Sequence, residues 1–456
     1  MAAGEGTRMH SAVPKVLHEI CGRPMIAWPI LAAREAGADR ICVIVSPHHD
    51  LTPVLPEGTE TIVQPVADGT GGALRAAADV VRDSDAVLVL SGDTPLLSAE
   101  VIEGLLAAHA EANAAATMMT TELEDPGTFG RVIRTADGEV ERIVEAKKPG
   151  DASADQLEVK EVNAGTYVFS AARLAEALDG LTNENAQGEY YLPDVLPLIR
   201  KGGGKVIAHL VADPAVNLGV NDRADLARVT DEARRRILLA HMRAGVTIED
   251  PGATWIDADV SIEPDATILP GTSLRGSTSI GSGTTVGPVT TLIDSRIGDR
   301  ATVIHSYLTA CQVADEAKVG PFTYLRPDAS IGEGAKAGSF VEIKNSEIGA
   351  GAKVPHLSYI GDADVGEGTN LGASTVTANY DGRSKNRTKI GKNVQTGVDT
   401  TLVAPVEVGD DAYTGAGSVI SEDVPPGALG ISRAEQKNVE GYAAKKAKES
   451  SEGEDS

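Results

Sequence analysis

The spacing of apolar residues changes period once along the chain. In the first half, residues 22–37 carry apolar side chains at helical spacing, and residues 41–46 (ICVIVS) form a short continuous apolar run. Residues 73–82 are Ala-rich and helical in pattern, residues 86–91 (AVLVLS) form a second apolar run, and residues 99–112 return to helical spacing. Short strands buried on both faces, alternating with helices, predict a parallel α/β sheet. Such sheets bind ligands at the carboxyl ends of their strands, where Gly92-Asp93 follows AVLVLS. Residues 222–244 are charged and helix-favouring, which predicts a connecting helix.

After Thr247 an aliphatic residue, often followed by Gly, recurs about every six positions, as in Ile280-Gly281, Ile297-Gly298, Val319-Gly320, Ile331-Gly332, Ile348-Gly349, Ile390-Gly391 and Val408-Gly409. Hexapeptide periodicity predicts a β-helix, in which each flat side sends one aliphatic residue inward and a small residue fits the corner. Two interruptions, at residues 306–312 and 379–389, predict protruding loops. The organisation expected is residues 1–221, a linker helix over 222–247, a β-helix over 248–442 and a charged, apolar-poor, disordered tail over 443–456.

Composition narrows the function classes. Aromatics are only 3% of the 456 residues while Gly numbers 49, which suits a narrow core with many turns. A formal net charge of −25 argues against nonspecific binding to nucleic acid or an anionic membrane. Cys21, Cys42 and Cys311 share no metal-type spacing and read as small buried residues of a reducing compartment. No apolar run reaches the roughly 20 residues of a membrane span, and no secretory signal is visible. A cytoplasmic protein is expected.

In the first half, the Gly-rich start MAAGEGTRM can wrap phosphates with backbone N–H groups, with Arg8 and Lys15 neutralising charge. Gln64 and the loop Asp68-Gly69-Thr70-Gly71 can read a planar base. Asp93 can hold Mg²⁺ against phosphate oxygens, with Asn221 completing the site; the alternative for Asp93 is a turn or helix cap. In the second half, the His356 imidazole can take a proton from an amine attacking a thioester, or is a plain surface histidine. Arg326, Lys344 and Lys385 are either sugar-phosphate ligands or solvated charges.

The segments AAGEGTRM…PKVL, SGDTPLL, Phe129-Gly130-Arg131, Ile143-Val144-Glu145, residues 161–165 (EVNAG) and NAQGEYYL, with GPFTYLRP, FVEIKNS, KVPHLSY, NYDG and the final ISR, resemble one bacterial family. It is that of the bifunctional N-acetylglucosamine-1-phosphate uridylyltransferase/glucosamine-1-phosphate acetyltransferase, and the resemblance covers residues 2–442. It implies a Rossmann-like nucleotidyltransferase domain followed by a left-handed parallel β-helix of hexapeptide repeats, an α/β fold overall. It implies acetyl transfer from acetyl-CoA to glucosamine 1-phosphate, then uridylyl transfer from UTP to N-acetylglucosamine 1-phosphate, giving the cell-wall precursor UDP-N-acetylglucosamine and pyrophosphate. Ala2, Ala3, Gly4, Gln64, Gly69 and Thr70 would hold the uridine, and Arg8 and Lys15 the triphosphate. Gly130, Glu145, Asn163 and Asn221 would contact N-acetylglucosamine 1-phosphate, and Asp93 and Asn221 would bind Mg²⁺. His356 would be the general base, with Arg326, Lys344, Tyr359, Asn370 and Lys385 on glucosamine 1-phosphate. Asn379 and Tyr380 would orient substrate, and Ala373, Val398, Ala416 and Arg433 would contact acetyl-CoA. A homotrimer with acetyl-CoA between neighbouring subunits is also implied.

Two positions depart from that family. Gly72 stands where a His usually follows the G-T-G of the second loop, and Val398 stands where some relatives have Ser. The family also has an apolar strand immediately before A-A-G, so an upstream start is expected for the natural protein. Two other readings compete: a nucleotidyltransferase carrying the β-helix as an oligomerisation scaffold, and a nonenzymatic binding protein. The second calls for regular Thr rows on a β-helix face, and no long row is visible in the sequence.

Overall fold

A computed structural model describes residues 1–4, 6–135, 138–146, 150–184 and 188–452. The chain divides into two compact units, Met1–Leu239 and Ala240–Ser456.

The first unit is built from β1 (Ile41–Val45), β2 (Thr59–Val63), β3 (Ala86–Val89), β4 (Ala116–Glu122), β5 (Arg131–Arg134), β6 (Val140–Val144), β7 (Glu161–Ser170) and β8 (Val206–Leu210). Around them pack α1 (Ala27–Glu35), α2 (Thr70–Ala76), α3 (Ala99–Glu111) and α4 (Ala171–Asp179). The strands and helices fall where the apolar runs predict them, but the sheet is not uniformly parallel. β1 pairs β2 and β8 pairs β4 in parallel, whereas the long β7 runs antiparallel to β3, β4 and β5. Apolar periodicity reports burial on both faces and carries no strand direction, which is why the sequence missed this. Residues 1–2 lie between β1 and β3: the Ala2 amide donates to the Ile44 carbonyl (2.8 Å) and the Gly92 amide to the Met1 carbonyl (2.9 Å). Beside them an apolar cavity of about 580 Å³ is lined by Ile41, Val43, Leu88 and Leu90 among others.

The division at Leu239/Ala240 falls inside the helix α5 (Arg223–Arg243). Val229, Ala233 and Leu238 are buried, and Arg236 donates to the Leu96 carbonyl (2.8 Å) and pairs with Glu232 and Asp213. Glu232, receiving hydrogen bonds from Arg235 and Arg236, is held down at about 2.

The second unit is a parallel β-helix. Among the described residues its three faces are sheets of seven, ten and nine short strands, beginning at Thr247–Ile248, Trp255–Ile256 and Ser261–Ile262. On the ten-stranded face Ile256, Leu274, Leu292, Leu308, Leu325, Ile343 and Ile360 point inward and stack in register, all fully buried. Burial of each such side chain contributes about 1.5–3 kcal/mol. Small hydroxylated residues close the corners: the Thr272 hydroxyl donates to the Leu269 carbonyl (2.7 Å) and Ser346 to Lys344 (2.8 Å).

Three expectations change here. Residues 306–312 do not protrude; Tyr307–Thr309 pairs in register with Thr291–Ile293, and the shorter coil is taken up at corners where His305 and Ala310 adopt positive φ. The threonines do form a row: Thr247, Thr267, Thr285 and Thr302 are consecutive in register on the first face. Their separations in the sequence are unequal, which hid the row. Where composition predicts a disordered tail, Tyr442–Glu452 is a helix, exposed over residues 442–450. Its Ala, Lys and Glu content favours helix, and Lys445 and Lys446 pair with Glu449. Residues 453–456 lie outside the described set.

Candidate active sites

In the first unit, a cleft of about 780 Å³ is lined by Ala2, Ala3, Gly4, Lys15, Gln64, Gly69, Thr70, Asp93, Glu145, Asn163 and Asn221. Asp93 lies just after β3, as its sequence position predicts. Lys15 Nζ sits 2.5 Å from its carboxylate and the Ser91 hydroxyl donates to it at 2.7 Å. Burial pushes the Asp93 carboxyl up, but Lys15 and Ser91 outweigh that and hold it below the usual range. Arg8 donates to the Asn221 side-chain oxygen at 2.8 Å, and the Val220 amide donates to the Asp93 carbonyl at 3.0 Å. The two expected metal ligands thus line the same cleft, each facing one of the two expected phosphate-binding cations.

Gln64 folds over the second loop, donating to Asp68 (2.9 Å) and to the Gly69 carbonyl (3.1 Å). Gly69 has φ 101° and Gly72 leaves room for the Asp68 carboxylate: a Cβ there would lie 1.9 Å from Asp68 Oδ1. Any side chain at position 72 therefore requires Asp68 to move. Across the cleft, the Asn163 amide donates to the Gly130 carbonyl (3.0 Å) and its side chain to the Tyr167 hydroxyl (2.7 Å). A Cβ on Gly130 would meet Ile143 at 2.7 Å, so glycine keeps that wall close. Residues 185–187 of NAQGEYYL lie outside the described residues.

The sequence missed Asn217, which lines the same cleft. Its side chain is buried with both polar atoms unpartnered in the structure. Only its position four residues before Asn221 hints at it.

In the second unit the expected residues fall into two groups at different corners of the coil, with Asn370 apart from both, bridged to Lys353 on the first face. At one corner, Asp362 is the hub: Asn345 donates to one oxygen (2.6 Å) and Asn379 to the other. Asn379 also reaches the Tyr359 hydroxyl (3.5 Å). Burial pushes the Asp362 carboxyl up, but those amides and the charges of Lys344 and Lys385 hold it below the usual range. Lys344 in turn depresses Lys385 below the usual lysine range. Two neighbouring ammonium groups can share one phosphate. Arg326, also on this face, pairs with Glu342 at 2.9 Å. Sequence reasoning missed Asp362 and Glu342, since their value lies in register across coils.

The NYDG insertion protrudes as expected. Tyr380 and Lys385 form an antiparallel bridge, and Asp381 accepts the amides of Arg383 and Ser384 (both 2.8 Å).

At the other corner, His356 ends the strand Lys353–His356 with its ring exposed. Above it the backbone stacks in order: the Ser374 amide donates to the His356 carbonyl, Asp399 to Ala373 and Gly417 to Val398. His356, Ala373, Val398 and Ala416 thus form one column, capped where Arg433 donates to the Ala416 carbonyl at 2.8 Å. Along the coil, the face carrying Tyr359–Gly361 separates His356 from the Asp362 corner.

Comparison with known proteins decides the family. Residues 1–193 match the MobA-like NTP transferase domain, and residues 387–422 match the bacterial transferase hexapeptide model of six repeats. The Bifunctional protein GlmU of Mycobacterium bovis (strain BCG / Pasteur 1173P2) is 47% identical, covering 98% of this chain and 92% of its own.

The chain belongs to the GlmU family.

The GlmU of Mycobacterium tuberculosis (strain ATCC 25177 / H37Ra) is equally similar, and that of Mycolicibacterium gilvum (strain PYR-GCK) is 48% identical over 98% of this chain and 91% of its own. GlmU proteins are bifunctional uridylyltransferases/acetyltransferases, so this chain is an enzyme with a nucleotidyltransferase half and a left-handed β-helical acetyltransferase half, acting on a nucleotide and on acetyl-CoA. Both competing readings, scaffold and nonenzymatic binder, give way to it. Among the described residues no helix is long and apolar enough to cross a membrane.

Proposed function

We propose that the second unit acetylates glucosamine 1-phosphate and the first joins the product to UMP from UTP, with each residue in the role the family resemblance implies. The column of His356, Ala373, Val398 and Ala416, capped by Arg433, supports this reading most. It offers one proton acceptor at the end of a path of small side chains along which a long thioester cofactor fits.

For acetyl transfer, Lys344 and Lys385 hold the sugar phosphate, while Arg326, Tyr359, Asn370, Asn379 and Tyr380 orient the ring. The neutral amine attacks the thioester carbonyl, His356 takes the proton, and the tetrahedral intermediate collapses with release of CoA. Because the amine is mostly protonated at neutral pH, it must lose that proton before attack.

The separation of His356 from the Asp362 corner supports assembly of the complete site from two copies. So does an exposed apolar corner formed by Val289, Phe322, Phe340 and Leu357 beside His356. The Phe322 and Phe340 rings stack at 5.3 Å and would be costly to leave in water. A homotrimer is the assembly proposed. Mixing a His356→Ala variant with a Lys344→Ala variant tests it: recovered acetyl transfer supports a shared site, and none contradicts it.

For uridylyl transfer, Gln64 and the loop at Gly69 and Thr70 hold the base, and Glu145, Asn163 and Gly130 the acetamido sugar. A sugar-phosphate oxygen attacks the α-phosphorus of UTP and pyrophosphate leaves, with Arg8 and Lys15 neutralising its charge. The oxygens of Asp93 and Asn221 fit Mg²⁺, which usually takes one or two protein oxygens and completes its shell from phosphates and water. Bound there, Mg²⁺ would neutralise phosphate charge. A cytoplasmic location is consistent with substrates of this kind.

A further inference from the structure

Above the threonine row, the first face of the β-helix carries three lysines. Lys318, Lys336 and Lys353 are consecutive in register, directly continuing Thr302, and all are exposed. Neighbouring strands lie about 4.8 Å apart, so like charges oppose each other along the row and cost stability. No ion pair relieves them among the described residues. On the neighbouring corner, Glu316 is paired with Arg300 and Glu367 with Lys392, and Glu333 also stands there.

The row has a destination. Lys353 bridges Asn370 on the next coil, and the strand that begins with Lys353 ends with His356. The row of positive charge therefore ends beside Asn370, on the strand that carries His356 at its other end. It lies on a chain of net charge −25, whose overall field repels anions.

We propose that Lys318, Lys336 and Lys353 form an electrostatic runway that draws phosphorylated substrates to the acetyltransferase site. This rests on the acetyltransferase reading above. The ligand chemistry is a phosphate mono- or diester, and two sources share it: the sugar 1-phosphate and the phosphates of acetyl-CoA. Lys318 and Lys336 lie beyond the residues assigned to the site, so they act through their field rather than by touching the reacting atoms.

The test compares wild type with Lys318→Gln/Lys336→Gln, measuring Kd for glucosamine 1-phosphate and for acetyl-CoA separately by calorimetry, and KM and kcat for each. At an ionic strength of about 0.01 M, where charges act over about 30 Å, the double variant should bind one or both ligands about three- to tenfold more weakly, with kcat unchanged. The ligand affected identifies the source. The difference should vanish near 1 M salt, where the range falls to about 3 Å, and Lys318→Arg/Lys336→Arg should restore wild-type binding. Relief of like-charge repulsion should leave the melting temperature equal or higher, separating the effect from misfolding. Unchanged Kd values at low salt would overturn the proposal. So would a loss that persists at high salt, resists the Arg variant, or appears equally in the charge-matched Lys201→Gln/Lys437→Gln control. Failure of wild type to bind either ligand would instead overturn the acetyltransferase reading, and the runway with it.

Discussion

Lys15 and Asp93, 78 residues apart in sequence, form an ion pair of 2.5 Å in the floor of the N-terminal cleft. The pair keeps a half-buried carboxylate charged and parks a cation where a triphosphate is expected. Replacing Lys15 with Met should lower the rate of uridylyl transfer by about 10²–10³ and leave acetyl transfer unchanged. Separate turnover assays check this.

The same pair predicts an acid-stability effect. Asp93 titrates below its ordinary value in the folded state, so its contribution to stability is fully present above the unfolded value and is lost as pH falls through the folded one. In Lys15→Met the burial penalty is unopposed by the ammonium. The N-terminal half of Lys15→Met should then be less stable than wild type at neutral pH, and the difference should shrink as pH falls through the Asp93 titration, as followed by urea unfolding monitored by circular dichroism.

Among the described residues no carboxylate is hydrogen-bonded to His356. His356→Ala should reduce acetyl transfer by about 10²–10⁴ with uridylyl transfer intact. Equal loss of both activities would show that the substitution damages the fold instead.

Lys385 is depressed by its neighbour Lys344, so it loses its proton at lower pH than an ordinary lysine. Affinity for glucosamine 1-phosphate should therefore weaken on the alkaline side earlier than for an isolated lysine site, seen as a rise in KM. Lys344→Gln should weaken binding at neutral pH yet move that alkaline limb upward, because the repelling charge is gone. A pH series of KM for both forms decides it.

Much of this was legible in the sequence because it depends on local period. The aliphatic residue of each hexapeptide fills the β-helix core, and the Gly-rich start with Lys15 and Asp93 marks the first cleft. What escaped depends on register between coils. Asp362 becomes a hub only when Asn345 and Asn379, 17 residues away on either side, stack beside it. The Thr and Lys rows repeat at unequal intervals, since coils differ in length and only the folded corners absorb the difference. The antiparallel course of β7 escaped for another reason: burial on both faces looks the same in either direction. The helix at Tyr442–Glu452 shows propensity winning where low hydrophobicity predicted disorder.

Two activities in one polypeptide define this protein's proposed function. The most direct measurement assays one purified preparation twice: CoA release from glucosamine 1-phosphate and acetyl-CoA, and pyrophosphate release from N-acetylglucosamine 1-phosphate, UTP and Mg²⁺. Turnover is expected in both, with His356→Ala lowering only the first and Lys15→Met only the second. A folded protein that releases no CoA, or whose two activities fall together in both variants, would contradict the proposed function.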